Sequence, residues 1–161
     1  MKIQIFTDGA CSGNPGCGGW GVYMRAFNNE GSLIAEKELH GSSSNTTNNR
    51  MELQAVIEGL KAIKNPNADI QVFSDSKYVI DGIRKWIFGW KRRGWKTAEG
   101  KAVKNAEQWW EIDQISSELR VIWTWVKGHA DNPGNIIADR LACKGRDEAK
   151  EERGESCDVV E

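Results

Sequence analysis

Histidine is nearly missing from this chain of 161 residues: there are two, His40 and His129, far apart in sequence. The four cysteines, Cys11, Cys17, Cys143 and Cys157, include no C-x-x-C pair. Zinc sites draw on Cys and His at close spacings, so none is expected, and free, reduced thiols are the reading that remains. Cys11 and Cys17 are close enough for a bridge in principle, but a reducing compartment argues against it. Also missing is any run of roughly 18 apolar residues, the length a membrane-spanning helix needs. The opening "MKIQIFTDGA" has a single Lys and passes straight into a strand pattern, so no signal peptide is expected and the cytoplasm is the expected location. No internal repeat and no domain boundary interrupt the chain, and 39% hydrophobic residues suit one compact domain.

What is present is charge, and it is segregated. The formal net charge is only -1. Yet Arg84, Lys85, Lys91, Arg92, Arg93, Lys96, Lys101 and Lys104 crowd into one stretch with Glu99 as its single acid. The segment after Gly145 is acid-rich instead. A basic block on a chain of nearly zero net charge points to a polyanionic partner. Trp86, Trp90 and Trp95 interleave with these cations, and cations with aromatic faces are what a nucleic-acid groove uses to hold phosphates and to stack on sugars or bases. A solvated loop pinned by its tryptophans is the bland alternative.

Hydrophobic periodicity predicts strands at "KIQIF", "GWGVYMRAF" and "SLIAEKELHG", an antiparallel meander. A helix follows at "TTNNRMELQAVIEGLKAI", its Leu53, Val56, Ile57, Leu60 and Ile63 at helical spacing behind Thr and Asn suited to an N-cap. Then come a buried-type strand "IQVFSD", a helix "SKYVIDGIRKWI", a projecting loop "WKRRGWKTAEGK", a helix "AEQWWEIDQISSEL" and a strand "RVIWTWVKG". A last helix begins with Asn132 as N-cap and Pro133 at its first position. The order predicts an α/β fold: a mixed five-stranded sheet with helices on both faces, strands one, four and five running parallel through helical crossovers. Trp123 and Trp125 read as sheet packing.

Two of those parallel strands end alike, in "IQIFTD" and "IQVFSD". Ligands of open sheets bind beyond the carboxyl ends of parallel strands, so Asp8 and Asp75 would face one crevice. Each acid alone could be a turn-former. As a pair they would repel unless a cation lay between them, and a carboxylate site without Cys or His suits a hard divalent ion such as magnesium.

At this point "FTDGACSGNPG", "TTNNRMEL", "FSDSKYVIDGI", "WKRRGWKT" and "WVKGHADNPGN...AD", in this order, resemble the bacterial type-one ribonuclease H family, from about Ile3 to about Ala149. The resemblance implies a ribonuclease H-like fold over residues 1–150, with an acidic, disordered tail over 151–161. It implies a metal site of Asp8, Glu52, Asp75 and Asp139 that holds two Mg2+ ions, with Mn2+ as a substitute. It further implies hydrolysis of the RNA strand of an RNA/DNA hybrid, leaving 3'-hydroxyl and 5'-phosphate ends. No oligomer interface is evident in the sequence, so a monomer is expected. His129 matches the family's mobile-loop histidine, which assists proton transfer or product release. Cys11, Asn14 and Asn48 would approach the minor groove, where 2'-hydroxyls tell RNA from DNA. Thr47 would bind a DNA phosphate. Trp86, Asn105 and Trp109 would grip the DNA strand beside the basic Lys91, Arg92 and Arg93. Two departures stand out: Lys77 occupies a position where bacterial members commonly carry Gln, and Ile136 and Ile137 replace a Glu and a polar or basic residue close to Asp139. A non-catalytic hybrid-binding module and a DNA-cutting transposase or resolvase relative are the alternatives; the four acids argue against the first and the "GNPG" and "NNRMEL" motifs against the second.

Overall fold

A computed structural model describes residues 1–128 and 132–154. Five strands form one mixed sheet: β1 (Lys2–Gly13), β2 (Gly16–Phe27), β3 (Leu33–Thr46), β4 (Asp69–Ser74) and β5 (Arg120–Trp125). Their order is β3-β2-β1-β4-β5. The first three pair antiparallel, and β1, β4 and β5 pair parallel as the crossovers require. The helices are α1 (Asn48–Lys61), α2 (Lys77–Asp81), α3 (Ile87–Arg92), α4 (Ala106–Ser116) and α5 (Pro133–Glu152). No helix among the described residues is long and apolar enough to cross a membrane.

Strand alternation sorts the side chains to two faces, each covered by a helix. Ile3, Ile5, Val22 and Met24 join Leu53, Val56, Ile57 and Leu60 of α1, together with Ile112 and Trp109 of α4, in the larger core. The opposite face carries Phe6 and Tyr23 against Ala138 of α5. Each fully buried Leu, Ile or Val of the larger core contributes about 1.5 to 3 kcal/mol. Helix α5 lies very close to β2: a Cβ at Gly21 would sit 2.3 Å from the Ala138 carbonyl oxygen. That approach fixes the position of the helix that carries Asp139.

Three expectations are revised by the structure. Strand β1 does not end at Asp8. Its parallel ladder with β4 stops at Thr7 and Ser74, while its antiparallel ladder with β2 continues to Gly13 and Gly16. Asp8 therefore sits where one neighbour has left and the other still holds the backbone. The "GNPG" segment becomes a tight hairpin turn with a cis Asn14-Pro15 bond. The projecting loop also begins later than the sequence suggests. From Lys77 the chain stays helical to Arg92, passing through a wide turn at Gly82–Trp86 in which the Ile87 N–H reaches back five residues to the Gly82 carbonyl. Trp90 is retained in that helix because its ring packs against Trp86 and Trp109. Finally, α5 runs to Glu152, two residues past the end expected for the last helix at Lys150. The rest of the acidic tail, from residue 155, lies outside the described residues.

Candidate active site

Three carboxylates meet at the end of the β1/β4 pair. Asp8, Glu52 and Asp75 each offer an oxygen, and the three atoms lie within 4.8 Å of one another. Asp8 and Asp75 are placed by the strand register, which sets Thr7 opposite Ser74 one residue earlier. Glu52 comes from α1, whose first turn is fixed by Thr47: its hydroxyl accepts from the Arg50 N–H at 3.2 Å as the N-cap. The two backbones can approach because residue 9 is Gly, where a Cβ would fall 2.5 Å from the Glu52 nitrogen.

The cluster is sheltered from water. Asp8 and Glu52 are each 5% exposed. Burial, and then the charge of Asp75, push the Asp8 carboxyl from its ordinary 3.8 up to about 7. Glu52 is raised well above the usual carboxylate range by burial and then by the charge of Asp8. A hydrogen bond from the Gly9 N–H to Asp8 Oδ1 at 2.9 Å works weakly in the other direction. The Glu52 Oε1 atom is buried without a hydrogen-bond partner among the described residues. An orphaned carboxylate oxygen beside two further acids is a donor set for a hard cation, which lowers all three repulsions together.

The other expected acid, Asp139, stands half-buried on α5, directly after the Ala138 that packs against Phe6. It lies outside the tight group of three, and its presence helps to raise the Asp8 carboxyl. Ile136 and Ile137 behave differently from each other: Ile136 is exposed, while Ile137 packs against the Phe6 and Tyr23 cluster. His129 lies outside the described residues. Gly128, just before it, does reach the site: a Cβ there would lie 3.8 Å from Asp75 Oδ2.

The residues expected to touch nucleic acid are exposed or half-buried, with one exception. Asn14 Oδ1 accepts from the Asn48 N–H at 3.0 Å, which ties the β1–β2 hairpin to the start of α1 and leaves both residues exposed. Cys11 is half-buried, its thiol directed to the carbonyls of Gly13 and Thr46. Asn105, in the left-handed region at φ 59°, precedes α4. Trp86 is 40% exposed and presents a ring. The exception is Trp109, which is 0% exposed. Its ring fills the core, so direct contact with a strand is not available to it in this structure. The i, i+3 spacing of Trp109 and Ile112 already marks the inward face of this helix, with Trp110 outward.

Two cationic assignments also change in detail. Lys91 Nζ is 3.2 Å from Asp113 Oδ1, so its charge is shared with a protein partner. Arg92 is exposed, and Arg93 turns back to donate to the Lys96 carbonyl at 3.4 Å. Lys77 Nζ stands 5.0 Å from the centre of the Trp125 ring. Trp125 in turn donates through Nε1 to the Asp75 carbonyl at 3.3 Å and stays 40% exposed. Trp125 is the last residue of β5, on the sheet surface, with Trp123 packed against the larger core.

Acids converging at the carboxyl ends of parallel strands form a cluster that could hold a metal ion, in a chain that also exposes an aromatic and basic segment. Comparison with known proteins agrees. The RNase H family matches residues 1–147. The chain is 52% identical over 151 residues to the ribonuclease H of Rhizobium meliloti, covering 94% of each. It is 51% identical over 149 residues to that of Saccharopolyspora erythraea, covering 92% of each. Among solved structures it resembles LC9-RNase H1, described as a type 1 RNase H with the type 2 active-site motif, with TM-score 0.81, 34% identity and coverage of 90% of this chain and 72% of that one. An N-terminal RNase H domain from Mycobacterium tuberculosis gives TM-score 0.69 at 28% identity, over 94% of this chain and 98% of that one. The chain belongs to the ribonuclease H family, whose members are hydrolases.

Proposed function

We propose that this protein, as a monomer in the cytoplasm, hydrolyses the RNA strand of RNA/DNA hybrids and leaves 3'-hydroxyl and 5'-phosphate ends. The catalytic unit is residues 1–150. The observation that carries the reading is the meeting of Asp8, Glu52 and Asp75 within 4.8 Å in a sheltered site with an unpartnered oxygen. These three acids, with Asp139, would hold two Mg2+ ions. When bound, such ions supply positive charge to the scissile phosphate and to the leaving oxygen and lower the pKa of an attacking water.

The chain's own residues do the rest. The rigid β1/β4 register holds Asp8 and Asp75 in place, and α1 brings Glu52 to them. Asn14 and Asn48 offer groove-side polar groups, and Thr47 and Asn105 stand near the DNA strand. Trp86 supplies a stacking face, and Arg92 and Arg93 meet phosphates. His129 follows Gly128 next to Asp75 and would move a proton or aid product departure.

The test is cleavage of sequence-matched hybrid, RNA duplex, DNA duplex and single strands in Mg2+. Cleavage confined to the RNA of the hybrid is expected. Equal cutting of DNA duplex would replace this reading with that of a DNA nuclease.

The basic surface gives a second expected result. Replacing Arg92 and Arg93 together by Ala should flatten the slope of log affinity against log salt by about 1.5, at roughly 0.7 to 0.9 for each lost phosphate contact. Adding Lys91→Ala should change the slope less than either Arg, because its ammonium is already beside Asp113. Hybrid binding measured across a salt series checks both; an unaltered slope would make the pair a solvated face.

A further inference from the structure

Tyr78 lies on α2 between the acids and the aromatic surface, and neither the reaction nor the grip has so far used it. Its hydroxyl oxygen is the meeting point of two donors. Asn105 Nδ2 donates to it at 3.1 Å, and Trp109 Nε1 donates to it at 3.1 Å. Its ring also touches Trp86, with centroids 5.9 Å apart, and Trp109, 5.3 Å apart. One side chain therefore contacts all three residues expected to hold the DNA strand.

The direction of each hydrogen bond follows from chemistry. The indole N–H of Trp109 and the guanidinium of Arg50 can only donate. Arg50 Nη1 donates to Asn105 Oδ1 at 3.1 Å, and this fixes which end of the amide is oxygen. The nitrogen end must then face Tyr78, whose oxygen accepts from it. With both donors pointing at that oxygen, the phenolic proton can go to neither of them. Between Asn105 and Tyr78, one N–H of the amide and the phenolic O–H are left without an acceptor among the described residues. A pair of neutral donors held side by side matches a phosphate oxygen, an acceptor only.

We propose that Tyr78 is a positioning residue for the nucleic-acid strand: its hydroxyl locks the Asn105 amide in its donating orientation and couples it to the buried Trp109. This rests on the assignment of Asn105 to strand binding. Trp109 accordingly serves the grip from within the core, by holding the Tyr78 oxygen and not by touching the strand. Asn105 stands in the left-handed region before α4 and makes no side-chain cap bond to that helix, so Arg50 at its oxygen and Tyr78 at its nitrogen are what hold the amide.

The test compares Tyr78→Phe, Asn105→Ala and the double variant on an RNA/DNA hybrid with saturating Mg2+. Tyr78→Phe keeps the ring and removes the acceptor. It should raise KM by about 3- to 10-fold, the range expected for one lost hydrogen bond, with kcat within about twofold. Asn105→Ala should raise KM at least as much, and the double variant should be no worse than Asn105→Ala, since the two act as one unit. Ile112→Val, a core change on the same helix that leaves this network intact, should lower stability and leave KM unchanged. A normal KM for Tyr78→Phe with a raised KM for Asn105→Ala overturns the positioning role while sparing the assignment of Asn105. A normal KM for Asn105→Ala overturns both. Additive effects in the double variant reduce Tyr78 to a structural residue. Should Tyr78→Phe fail to fold, NMR of the wild type decides: the Asn105 side-chain amide protons should exchange with solvent clearly more slowly than those of the exposed Asn48. Equal exchange at the two side chains overturns the lock.

Discussion

Asp8→Asn should give a protein that is more stable than wild type in chelator and inactive in magnesium. Asp8 is buried beside Glu52 and Asp75, and its carboxyl is pushed up to about 7 by that burial and by the neighbouring charge. At neutral pH without a cation the folded state therefore carries a destabilising cluster. Exchange of one ionisable oxygen for an amide nitrogen removes part of the repulsion and should stabilise the metal-free fold by about 1 to 3 kcal/mol. The same exchange takes an anionic ligand from the cation site, and cleavage of hybrid should fall below detection. Urea denaturation in chelator, with a cleavage assay on the same preparations, checks both halves. A variant that is less stable yet active would return Asp8 to the role of a turn residue. Enzymes commonly hold destabilising arrangements of this kind at their reactive centres.

The second large effect is on pH, and its sign is fixed by the same shift. Asp8 takes up a proton in the folded state below about 7 and in the unfolded chain only near 3.8. Between these values the folded state binds more protons, so stability in chelator should fall as pH rises through the window. Glu52, raised well above its ordinary value, should prolong the fall to higher pH. The contribution is greatest at the acid end and is lost as pH rises through the folded-state value. Bound Mg2+ must displace these protons, so its apparent affinity should weaken by up to about tenfold for each pH unit below about 7. Denaturation in chelator and calorimetric Mg2+ titration, each at about pH 5.5 and about pH 8, would show this. Stability that rises with pH in chelator would mean that the three acids are not held against one another.

How far the sequence reveals such a site depends on the range of the interactions that build it. Asp8 and Asp75, which follow the end of the β1/β4 parallel ladder, were legible because parallel strands and their crossovers have strong local patterns. The joining of Glu52 to them was legible only through resemblance, since a first-turn acid on a helix is otherwise unremarked. The continuation of β1 beyond Asp8 was hidden, because "GACSG" has little strand character and is held by pairing with β2. The burial of Trp109 could have been read from its spacing to Ile112. The Tyr78 network could not: its partners are 27 and 31 residues away, and nothing in local sequence records such bonds.

The wide turn at Gly82–Trp86 has a consequence for the aromatic surface that concerns phase. On a regular helix at about 100° per residue, Trp86 and Trp90 would be turned from Tyr78 by about 80° and 120° and would diverge from it around the axis. A turn with i→i+5 bonding absorbs about one residue, which brings both back to within about 20° of Tyr78. The three rings then form a single file along the helix, as the Tyr78–Trp86 and Trp86–Trp90 centroid separations of 5.9 and 6.0 Å record. The irregular turn thus acts as a phase correction: it keeps Tyr78, Trp86 and Trp90 in contact along one side of the helix.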